Sequence, residues 1–78
     1  MAMITKDDLE KVDKVRNSIH GRVKATYTVF TNGGKTYFQI DTYGSSTRKI
    51  NDKISQSIQV DKETAELLIE ILKKTFEI

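Results

Sequence analysis

The sequence predicts an α+β domain: a three-stranded antiparallel sheet with two helices on one face, in the order α-β-β-β-α. Three observations predict it. Thr, Tyr, Val, Phe and Ile alternate with period two through residues 22–31 and 35–43, on either side of a glycine-containing turn. Helix-start signals at Thr5 and Asp61 each precede apolar residues at helical spacing. Nothing divides the chain, since proline, Gly/Ser-rich linkers and internal repeats are all absent, so 1–78 reads as a single domain.

The first helix is expected over residues 4–20. Thr5 is its candidate N-cap with Asp8 three residues on, and Ile4 and Leu9 stand at the two positions of a hydrophobic staple. Leu9, Val12, Val15 and Ile19 form one narrow stripe, and His20-Gly21 supplies the stop. So thin a stripe needs a docking surface, because an isolated helix of this length is marginal in water. Met1-Ala2-Met3 is set aside as a cloning remnant or a disordered start.

In the hairpin, a turn at Asn32-Gly33 pairs Val29 with Thr36, Tyr27 with Phe38, Ala25 with Ile40 and Lys24 with Asp41. One face is then apolar and the other polar. A Gly33-Gly34 turn keeps the same faces, whereas a three-residue loop mixes them. A polar, basic connection at 44–53 leads to a third strand at about 54–60. There Ile54, Ile58 and Val60 alternate with Ser55, Ser57 and Gln59, and Gln56 falls on the apolar face. Asp61 caps the final helix and Glu63 suits its first turn. Ala65, Leu68, Ile69, Leu72 and Phe76 form one stripe; Leu67, Ile71 and Ile78 form a second. Together they span roughly 200°, about twice what one sheet face requires. The expected core is Leu9, Val12, Tyr27, Phe38, Ile40, Ile58, Leu68, Leu72 and Phe76, with Leu67, Ile71 and Ile78 left for a homodimer interface, or with the N-terminal helix lying across Leu67 and Ile71 within one chain as the alternative.

Composition narrows the functional classes. At 78 residues and 37% hydrophobic, the chain is near the size where a lone core becomes marginal, and without cysteine it has no disulfide or thiolate metal site to help. No apolar run spans a bilayer and no signal core opens the chain, which makes a cytoplasmic location the expectation. Thirteen basic and eleven acidic residues give a net charge of +2, a mixed surface and not a polycationic tail.

No catalytic residues, metal ligands or cofactor-binding motif are expected. The single histidine, His20, reads as a cation at a helix end, and no GK[ST] loop is present. Nucleophile and base pairs cannot be assembled from one histidine and no cysteine. The informative feature is the polar sheet face, where Lys24, Lys35, Tyr37, Gln39, Tyr43 and Gln59 are joined by Arg48, Lys49 and Lys53 from the adjoining connection. Rings among lysines, arginines and amides stack on bases and hydrogen-bond their edges. The same inventory grips proteins. Each of these residues taken singly is also ordinary on a solvated strand face. The expectation is a non-enzymatic binding module with nucleic acid as the leading partner. The alternative is an accessory or inhibitor protein that binds a host protein or a nucleotide signal.

The stretch Tyr37-Phe38-Gln39-Ile40-Asp41-Thr42-Tyr43-Gly44-Ser45, followed by Arg48, Ser55-Gln56, Ile58-Gln59, Asp61 and Ala65, resembles a family of small, uncharacterised bacterial and phage proteins. Similar segments occur beside restriction-type nuclease domains. The resemblance covers about the last 45 residues and implies a mobile-element or defence setting, without assigning an activity. A three-stranded sheet followed by a helix is also similar in architecture to the arm-binding domains of phage integrases, which lay the sheet in the DNA major groove. Those domains are more basic and have no preceding helix.

Overall fold

The structure, a computed structural model, describes residues 1–44 and 53–78. Its elements are β1 (Ala2–Ile4), a 3₁₀ turn (Lys6–Asp8), β2 (Ala25–Asn32), β3 (Lys35–Tyr43), β4 (Ile54–Val60) and α1 (Lys62–Phe76). The strands make one mixed sheet in the order β1-β4-β3-β2. The α+β class is therefore right, but the described residues form four strands and one α-helix, not three and two. No described helix is long and apolar enough to cross a membrane.

The N-terminal helix does not form. Thr5 precedes only a 3₁₀ turn and does not cap it with its side chain; its hydroxyl donates to Asp8 Oδ2 at 3.0 Å, and the Asp8 N–H donates to the Thr5 carbonyl. Leu9 then turns extended, and residues 10–24 are exposed, with Val15 and Ile19 fully so. Propagation needs the narrow stripe to dock on a surface, and from residue 10 to residue 24 the segment stays uncovered. Ile4 belongs instead to β1, paired in parallel with β4 through Ala2–Ile58, Met3–Gln59 and Ile4–Val60. The residues set aside as a remnant are thus an edge strand.

The hairpin turns one residue later than its leading sequence reading. Asn32 pairs with Lys35, Phe30 with Tyr37, Val29 with Phe38 and Tyr27 with Ile40, around Gly33 (φ 61°) and Gly34 (φ 79°). Both turn positions have positive φ, which glycine adopts without a Cβ penalty. A shift of two in register leaves each residue on its expected face.

Between β3 and β4, Phe38–Val60, Ile40–Ile58, Asp41–Ser57 and Thr42–Gln56 are paired, and Tyr43 then meets Ile54 across a bulge. The extra residue swings Ile54 off the apolar face and onto the polar one. Asp61 caps α1, accepting the Thr64 N–H at 3.0 Å. Glu77 closes the helix in left-handed conformation, its N–H donating to the Lys73 carbonyl.

The core is where expectation and structure part most. Among described hydrophobic residues only Val60 is buried. Of the expected core, Val12, Tyr27, Phe38, Ile40, Ile58, Leu72 and Phe76 are exposed, and Leu9 and Leu68 are half-buried. The helix touches the 3₁₀ turn but does not cover the sheet.

Candidate functional site

The polar side of the sheet is the more ordered of its two sides. Alternation places Thr28, Gln39 and Gln59 in one row across β2, β3 and β4, and Thr26, Asp41 and Ser57 in the next. Hydrogen bonds run through both rows. Gln59 Nε2 donates to Gln39 Oε1 at 2.7 Å, and Gln39 Nε2 donates to Asp41 Oδ1 at 2.9 Å. Ser57 Oγ donates to the same Asp41 oxygen. Asp41 and Ser57 are each only 6% exposed. Buried polar groups need such partners, and among the described residues no buried side-chain nitrogen or oxygen lacks one.

Aromatic groups bracket this ladder. The rings of Phe30 and Tyr37 stack across β2 and β3 with centroids 5.5 Å apart. At the other end, Lys24 Nζ lies 5.7 Å above the Tyr43 ring, within cation–π range. The Tyr43 hydroxyl lies 3.0 Å from Thr26 Oγ1, and the Tyr43 N–H donates to the Lys24 carbonyl. Lys24 therefore sits opposite Tyr43, not opposite Asp41. The bulge adds Ile54 beside the ladder, where it lines a shallow depression with Met1, Met3, Gln39, Ser57 and Gln59.

Of the candidate binding residues, Lys24, Tyr37, Gln39, Tyr43 and Gln59 share this face. Lys35 opens β3 at the hairpin end and is near enough to Asp61 to help lower its carboxyl pKa. Lys53 is exposed just before β4. Arg48 and Lys49 lie outside the described residues. Of the residues assigned to a dimer seam, Leu67 is half-buried, and Ile71 and Ile78 are 40% and 79% exposed.

Phe30, Asp41 and Ser57 also lie on this face, although none of them is a candidate binding residue from the sequence. The turn at Gly33-Gly34, already compatible with the alternation, would have set Phe30 against Tyr37 and Thr26 against Asp41. Among the described residues no three His, Cys, Asp or Glu side chains are grouped to hold a metal ion. No family model, curated protein or solved structure matches the chain.

Proposed function

We propose that the protein is a non-enzymatic binding module that takes single-stranded nucleic acid on the polar side of its sheet. The observation that carries this reading is the preorganised ladder of the Gln59 and Gln39 amides and the Asp41 carboxylate, between the Phe30–Tyr37 stack and the Lys24–Tyr43 pair. Each glutamine amide is oriented by a neighbour yet has two N–H donors and two acceptor lone pairs, so capacity remains for a base edge. The rings offer flat partners for bases, and stacking of this kind tolerates any base. The buried Asp41 carboxylate keeps phosphates off the centre of the ladder. They would follow the margins, where Lys24, Lys35 and Lys53 are candidate contacts; Arg48 and Lys49, outside the described residues, are candidates on the sequence alone.

Fluorescence anisotropy with labelled single-stranded DNA and RNA across a salt series tests this. The expected outcome is saturable binding whose logarithm falls linearly with log salt, with a slope of about −0.7 per phosphate neutralised. Lys24→Gln and Lys35→Gln should each shallow the slope, and Tyr37→Ala should weaken binding at every salt concentration. Salt-insensitive binding to a protein or a free nucleotide, with none to the oligonucleotides, would favour the inhibitor reading instead.

A further inference from the structure

We propose that a second copy of this chain completes the fold, with α1 of each copy lying across the apolar sheet face of the other. This rests on the opposite side of the sheet from the nucleic-acid reading and does not depend on it.

Three observations lead there. The first is area. The chain exposes 7386 Å², against about 4,800 Å² for a folded monomer of this mass. Its radius of gyration is 14.8 Å, where about 11–12 Å is usual for 78 residues. Part of the excess, about 2,600 Å², belongs to the exposed segment 10–24. An obligate dimer buries about 2,000 Å² or more in all, about 1,000 Å² from each chain, which is less than half of that excess.

The second is what lies bare. On the sheet, Tyr27, Val29 and Ile40 are 68%, 61% and 41% exposed; on the helix, Ile69, Leu72 and Phe76 are 57%, 46% and 66% exposed. The sheet lacks a helix and the helix lacks a sheet. Each copy has what the other needs, and a two-fold exchange satisfies both surfaces at once.

The third is why the chain does not do this alone. Only Asp61 separates β4 from α1, and Asp61 caps the helix. Thr64 ties the first turn to the end of β1 by donating to the Ile4 carbonyl at 3.1 Å. The start of the helix is thus pinned at the sheet margin. There Val29, Phe38, Val60 and Ala65 line an open groove of about 640 Å³, the entrance through which the partner's helix would reach the sheet face.

Two measurements on the intact chain test the exchange. Light scattering should give twice the chain mass of 8.9 kDa. In a mixture of ¹³C-labelled and unlabelled chains, isotope-filtered NOE spectra should connect Leu72 and Phe76 of one copy to Ile40 and Ile58 of the other. A mass of one chain overturns the proposal, as does any assembly larger than two. A dimer whose intermolecular NOEs are confined to Leu67 and Ile71 of facing helices overturns it too. Lys24→Gln, on the polar face, should leave the mass unchanged, so failure of the nucleic-acid reading and failure of this one give different results.

Discussion

Thr64 is fully buried, and its one hydroxyl hydrogen faces two acceptors, the Ile4 carbonyl and the Asp61 carboxylate. Three pieces of chain that are distant in sequence or change direction meet at this side chain: the end of β1, the end of β4 and the start of α1. Thr64→Val keeps the shape and removes the hydrogen bonds, at an expected cost of about 1–2 kcal/mol in denaturant melts. The Thr64 hydroxyl and then its N–H are the main causes holding the Asp61 carboxyl below its ordinary pKa. A carboxyl depressed in the folded state contributes stability above its unfolded pKa and loses it as pH falls through the folded value. The difference between wild type and Thr64→Val should therefore narrow only in acid, below the ordinary carboxylate range. In the variant, the Asp61 pKa should rise, as followed by NMR titration. A constant difference across the pH range would mean that the hydroxyl acts on Ile4 alone.

At the scale of elements, the hairpin was legible because alternation assigns faces whatever the exact turn. Lys24, Tyr37, Gln39, Tyr43 and Gln59 were put on one side for that reason, and that is where they are. Their cross-strand partners were not legible, since a register shift of two changes partners without changing faces. The first helix was misread for a different reason. The short turn after Thr5 is decided within four residues, but continuation through Val12, Val15 and Ile19 depends on a surface elsewhere. The parallel pairing of β1 with β4 joins segments more than fifty residues apart, and three residues carry too little pattern to announce it. The turn itself gives a clean test. A Cβ at Gly33 or Gly34 would meet nothing within 4 Å, so any cost of substitution comes from positive φ alone. Gly34→Val should destabilise by at least about 1–2 kcal/mol. Gly33→Asn should be close to neutral, because asparagine tolerates the left-handed region and Asn-Gly suits this turn. Equal losses for the two in thermal melts would contradict a two-glycine turn.

At the scale of the molecule, one buried hydrophobic side chain among the described residues does not make a core, whereas the hydrogen-bonded sheet and capped helix are well formed. Secondary structure in a domain this small persists through burial of its apolar faces, so folding and association should be one event. A coupled dimer has a thermal midpoint that rises with protein concentration; a monomer does not. Val29 separates the two cases sharply, being 61% exposed on the apolar face of the single chain. If that face met solvent, Val29→Lys would change stability by no more than about 0.5 kcal/mol. If a partner helix lies over it, the lysine places a charge in an apolar contact with no partner for it, a change of several kcal/mol. The expected outcome is a midpoint that climbs over a hundredfold range of wild-type concentration and a Val29→Lys variant that loses both its dimer mass and its cooperative melt. Thr28→Lys, on the polar side of the same strand, serves as the control and should melt like wild type. A concentration-independent midpoint with a well-folded Val29→Lys monomer would show that the apolar face is stable in water.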